Sequence, residues 1–149
     1  MQAERLVIEQ LDVSAPIDPV GSAAGELLLP DHLERIGRWS GGAELGDAHG
    51  TVLLAGHVAL GARPGVGHQW HRLQPGATIR TVDTAGRTHL WRAVELNVYR
   101  AHDLPLDLFD TGGPHRLALV TCAGPVITVN GRNEYRDNLV IIAEPVAKP

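Results

Sequence analysis

Leu117-Ala118-Leu119-Val120-Thr121-Cys122-Ala123-Gly124-Pro125 is the stretch on which the fold turns. An apolar run follows the polar pair His115-Arg116 and stops at a Gly-Pro break, which reads as a short buried strand. Cys122, the only cysteine among 149 residues, stands where that strand ends. A strand aims a side chain and a loop exposes it, so the position suits a nucleophile. A small buried core residue is the other reading of a free cysteine. The local sequence leaves both open.

Similar runs lie to either side. Arg5 to Ile8, Gly25 to Leu29, Thr51 to Ala55, Ala77 to Val82, Thr88 to Tyr99 and Leu139 to Ile142 are apolar or alternating. Asp83-Thr84-Ala85-Gly86 marks a hairpin between two of them, and Asn130-Gly131 marks a turn before the last. The 17 Gly and 10 Pro are spread through the chain rather than gathered in a linker. One domain over 1–149 is expected, built of evenly spaced short strands as an all-β barrel or sandwich. Helical signals are brief: Asp31 to Ile36, Gly67 to Leu73, and Asp103 to Phe109, where Pro105 allows only a short turn.

Composition narrows the function. The net charge is −4 with no basic run, which argues against nucleic-acid binding, since phosphate neutralisation needs clustered Lys and Arg. No apolar stretch approaches the ~20 residues of a membrane span. Met1-Gln2-Ala3-Glu4-Arg5 lacks the apolar centre of a signal peptide, so the chain as given reads as soluble. A lone cysteine excludes an internal disulfide and leaves a thiol to explain.

A thiol at its ordinary pKa of about 8.5 is mostly protonated at neutral pH and needs a proton acceptor and an oxyanion donor. His57 follows the buried-type strand Thr51-Val52-Leu53-Leu54-Ala55 after Gly56, so it too stands at a strand end. Arg136 opens the last strand in Tyr135-Arg136-Asp137-Asn138, where alternation puts Arg136 and Asn138 on one face and Asp137 on the other. A guanidinium beside the thiol would lower its pKa and bind a carbonyl. Arg132, in the turn after Asn130-Gly131, is the nearest rival. His68 and His71 share an H-x-x-H spacing without an evident third ligand, which reads as two polar side chains on the surface rather than a zinc site.

In chain order, these segments resemble a known family. Arg5-Leu6-Val7-Ile8 through Ser14-Ala15-Pro16-Ile17 resembles the opening strand and "apolar-x-Ala-Pro-Val" segment of the sortases, cysteine transpeptidases of Gram-positive cell surfaces. Ala55-Gly56-His57 resembles their histidine site, and His71-Arg72-Leu73 through Leu73-Gln74-Pro75-Gly76 their "F-x-x-L-x-x-L-x-x-G" region. Ala118-Leu119-Val120-Thr121-Cys122 resembles the T-L-x-T-C nucleophile motif, with Ala118 in place of its first Thr. Tyr135-Arg136-Asp137-Asn138 before an apolar strand is similar to the arginine strand of the actinobacterial class F branch. Arg136 lies two positions earlier than the arginine of the best-known sortases, and Asn138 takes that register.

The resemblance implies a closed eight-stranded β-barrel. It also implies cleavage of an L-P-x-T-G-type signal between Thr and Gly, with transfer to an amine of the cell wall. Cys122 would be the nucleophile, His57 the acid–base group and Arg136 the oxyanion donor; Thr121 and Asn138 would contribute to substrate binding. No metal or organic cofactor is required. Partners would be sorting-signal proteins and a peptidoglycan-precursor or other amine, outside the cytoplasm, with the membrane reached only through an N-terminal anchor absent from this chain. Ala23 to Pro30 and Phe109 to Pro114 would wall the site. A peptide-binding barrel without catalysis and a purely hydrolytic cysteine protease are the alternative readings.

Overall fold

The structure is a computed structural model that describes residues 3–23 and 26–146. Its strands are β1 (Glu4–Ile8), β2 (Val13–Val20), β3 (Ser22–Ala23), β4 (Glu26–Leu27), β5 (Ile36–Trp39), β6 (Thr51–Ala55), β7 (Ala59–Leu60), β8 (Arg63–Pro64), β9 (Thr78–Val82), β10 (Thr88–Arg100), β11 (Arg116–Val129) and β12 (Arg132–Pro145). Eight of them close a barrel in the order β1-β2-β5-β6-β11-β12-β10-β9. Two pairs, β3-β4 and β7-β8, stand outside it. The all-β expectation holds, and closure selects the barrel over the sandwich.

Alternation decides what each strand buries. Leu117 and Leu119 of β11, with Leu139, Ile141 and Ala143 of β12, join Leu6, Ile8, Ile36, Trp70, Trp91 and others in the barrel interior. Their neighbours Ala118, Val120, Val140 and Ile142 face outward, and there they pack with Leu53, Ala55 and Leu108 under the connection from β10 to β11. The central strands are buried on both faces, which is why β6 and β11 read as unbroken apolar runs rather than alternating ones.

Both predicted turns form. Asp83 caps the β9-β10 hairpin, accepting from the backbone N–H of Ala85 and Arg87 and contacting His89 Nε2 at 2.8 Å. Asn130 and Gly131 both take positive φ, 52° and 78°, the twist that a tight hairpin between β11 and β12 requires.

Several expectations are corrected. The strand expected over Gly25 to Leu29 is only the two-residue β4, outside the barrel; Gly25 lies outside the described residues. The barrel takes β2 and β5 instead. Pro16 and Pro19 lower the strand signal of β2 because proline cannot donate to a ladder, yet Ala15 and Ile17 are buried at a two-residue period. Asp31 to Ile36 forms no helix: Arg35 N–H closes a turn on the His32 carbonyl at 3.2 Å and β5 follows. The other two brief helical signals form as expected, as short 3-10 turns at Trp70–Arg72 and Leu106–Phe109.

Candidate active site

β6 and β11 run parallel, with Ala55 opposite Val120. Two residues beyond that pair, at the same end of the barrel, come His57 and Cys122. Two bonds tie the strand ends together there: Gly56 N–H donates to the Val120 carbonyl at 3.1 Å, and Thr121 Oγ1 donates to the Gly56 carbonyl at 2.8 Å. Neighbouring strands lie about 4.8 Å apart, so residues 65 positions apart in sequence are brought to one level. Cys122 follows Ala118 and Val120 in the outward series of β11, and His57 lies two residues past the end of β6, whose Leu53 and Ala55 face outward.

Antiparallel β12 flanks β11 on its other side, with Asn138 directly opposite Cys122 and Asp137 opposite Ala123. Asn138 and Arg136 continue the outward series Val140 and Ile142. Asn138 is thus the nearest cross-strand neighbour of the thiol, and Arg136 stands one outward position further along.

The Arg136 guanidinium does not rest on the thiol. Its Nε and Nη2 donate to the two carboxylate oxygens of Asp137, each at 2.9 Å. The hydrogen bonds from Arg136 hold the Asp137 carboxyl below its ordinary value, and Arg100, 3.6 Å away, adds to this. That carboxylate is only 5% exposed. It lies against Gly124, whose φ of 77° belongs to the irregularity that breaks the β11-β12 register after Ala123. Arginine carries five N–H donors, so three stay free for a ligand while Asp137 fixes the plane.

Cys122 is half-buried and unpaired. Burial pushes its thiol up from the ordinary value, and no cation opposes this. The guanidinium that the sequence reading set beside the thiol to lower its pKa bonds Asp137 instead.

The thiol borders an open cavity of about 680 Å³ lined also by Val58, His68, His71, Gly124, Tyr135 and Leu139. His68 and His71 are exposed on its rim. Sequence reasoning had set them aside, because H-x-x-H carries no signal of which cavity it borders. Among the described residues no cluster of three His, Cys, Asp or Glu side chains is arranged to hold a metal.

His57 is half-buried, and its Nε2 lies 2.9 Å from the carbonyl oxygen of Pro30. Of the two walls expected, Ala23 to Pro30 thus reaches the site at Pro30, while Ala24 and Gly25 lie outside the described residues. Phe109 to Pro114 does not reach it. Gly50 N–H bonds Gly113 O and Thr51 N–H bonds Asp110 O, at the opposite ends of β6 and β11. Phe109 instead meets Trp39 edge-on at 5.5 Å.

In fold the chain is similar to sortases. Sortase A from Corynebacterium diphtheriae (a lid mutant) matches with a TM-score of 0.74 and 19% identity over 99% of this chain and 71% of that one. Sortase C-1 from Actinomyces oris matches with 0.73 and 22% identity over 97% and 73%. Sortase C1 of Streptococcus agalactiae matches with 0.75 and 16% identity over 98% and 68%. No curated protein matches the sequence. The family model described as the Sortase domain matches residues 6–146, and the chain therefore belongs to the sortase family.

Proposed function

We propose that the chain is the catalytic domain, over 1–149, of a cysteine transpeptidase that sorts proteins to the cell wall on the extracytoplasmic side of the membrane. The observation that carries this reading is the parallel β6-β11 pair, whose matched ends lead on to His57 and Cys122, together with the open cavity that the thiol borders. The substrate is a protein with an L-P-x-T-G-type signal, cut between Thr and Gly. The run Tyr135-Arg136-Asp137-Asn138 supports assignment to the class F branch.

Cys122 Sγ attacks the Thr carbonyl carbon as His57 takes the thiol proton, forming a C–S bond and a tetrahedral oxyanion. The free N–H donors of Arg136 and the Asn138 amide receive that oxyanion. Collapse breaks the C–N bond, and His57 returns its proton to the leaving Gly amine. An incoming amine then loses a proton to His57, attacks the thioester and releases the thiolate, which recovers that proton. Thr121 serves from beneath, since its hydroxyl ties β11 to Gly56 one residue before each reacting group.

Incubation with an L-P-x-T-G peptide and either a Gly or a diaminopimelate-type amine tests the assignment. The expected result is an amide-linked transfer product, abolished in Cys122→Ala. Product in Cys122→Ala would overturn the nucleophile, and cleavage to free acid alone with both amines would make the chain a hydrolase. Arg136→Ala is expected to lower kcat by ~10²-fold, the usual cost of an oxyanion donor.

A further inference from the structure

The contact between His57 Nε2 and the Pro30 carbonyl, at 2.9 Å, carries information about protons. A carbonyl oxygen only accepts, so Nε2 must bear the hydrogen. In the neutral ring Nδ1 then bears none and is the only nitrogen left to take a proton. Among the described residues no carboxylate bonds His57, so a main-chain carbonyl alone fixes its tautomer.

That main chain is held in place from several directions. Leu28 N–H donates to Gly21 O at 3.0 Å, and Val66 N–H donates to Leu33 O at 2.7 Å. Arg35 grips Asp18 of β2 through two bonds of 2.6 and 2.7 Å. The Pro30 ring packs over Gly37 of β5, where an added Cβ would stand 3.3 Å from Pro30 Cδ. His57 is held from the same loop that holds the strap, by Gly67 N–H on its carbonyl at 2.9 Å, next to Val66. Acceptor and ring are thus set against each other by one short segment, with Asp18 and Gly37 as further anchors of the strap.

We propose that the Pro30 carbonyl is the positioning group of the active-site histidine, holding His57 as the Nε2–H tautomer so that Nδ1 exchanges the proton with Cys122 and with the leaving amine. This rests on the assignment of His57 as the acid–base group. The residue 28–35 segment is then a strap whose service is to the proton transfer. When Nδ1 takes the thiol proton, the ring becomes a cation with a hydrogen on each nitrogen. The Pro30 carbonyl continues to accept from Nε2 and steadies that charge, since hydrogen bonds from charged donors are the stronger ones.

The test reads the tautomer directly, by long-range proton–nitrogen NMR of protein labelled with nitrogen-15 in histidine, at a pH where the ring is neutral. The expected spectrum assigns His57 a protonated-type Nε2 and an unprotonated-type Nδ1; the reverse assignment overturns the proposal. Arg35→Ala frees the strap from β2, and Pro30→Gly loosens the carbonyl without touching the Arg35 anchor. In either variant that keeps its fold, the His57 signals are expected to move toward a tautomer mixture. With the sorting peptide, kcat should fall about tenfold with KM within about twofold, a part of the ~10²–10⁴ that acid–base catalysis contributes. An unchanged tautomer with unchanged kcat in both variants overturns the proposal. Absence of peptide cleavage by the wild-type protein would instead fault the functional reading, and the tautomer measurement would still stand.

Discussion

The strand-end positions of Cys122 and His57 were legible one residue at a time, because each stands where an apolar run meets glycine or a Gly-Pro break. The state of Arg136 was not. Alternation correctly separates it from Asp137 along the strand, but a long side chain can turn back along its own backbone, and here it does so to reach a buried carboxylate. Asp137 thereby becomes the residue that orients the guanidinium. Asp137→Asn keeps the shape and removes the charge, so the expected outcome is a kcat/KM lowered by about tenfold with the loss of a fixed donor plane. Steady-state kinetics with the sorting peptide checks this, and Arg136→Lys should lower kcat/KM as well, since lysine has no planar fork to hold. The acid dependence follows from the direction of the shift. The folded carboxyl lies below its ordinary value of about 3.9, so the pair's contribution is complete above that value and fades as pH falls through the lowered one.

At the scale of elements, hairpins were the easiest to read and short isolated strands the hardest. The β9-β10 turn announces itself because Asp83 supplies the acceptor that the turn's own N–H groups need. Asp83→Ala removes the acceptor of those solvent-facing donors and of His89 and is expected to cost about 0.5–1.5 kcal/mol, measured by urea denaturation. The bond from His89 holds the Asp83 carboxyl low, so this contribution too is present above ordinary carboxylate pKa values and lost on acidification through the lowered one. By contrast β5, four residues opening with Ile36-Gly37, has no local pattern strong enough to declare a strand. It is extended because β2 pairs it on one side and β6 on the other. The strap before it looked helical because Asp31 to Ile36 follows a proline, yet it closes only one turn, from Arg35 N–H to His32 O, and its Leu33 carbonyl accepts from Val66.

At the scale of the molecule, closure links strands far apart in sequence, and the buried ion pair between Glu4 of β1 and Arg38 of β5 illustrates the cost of getting it wrong. Their Oε1 and Nε lie 3.0 Å apart, with side chains 7% and 9% exposed. Glu4→Ala leaves Arg38 as an uncompensated buried charge and is expected to cost about 3–5 kcal/mol, whereas Glu4→Leu with Arg38→Met should come close to neutral. Equilibrium denaturation of both proteins checks the contrast. The sequence by itself determined the all-β class, the two hairpin turns, the lone thiol and the strand-end histidine, since each depends on periodicity or turn chemistry within a few residues. Only the tertiary structure decided that β6 and β11 lie side by side and parallel, that Asn138 faces Cys122 across the ladder, and that a proline carbonyl meets the histidine ring. Those are pairings between segments tens of residues apart. They are set by closing the barrel around one apolar interior, and no local stretch of chain encodes which distant partner it will meet.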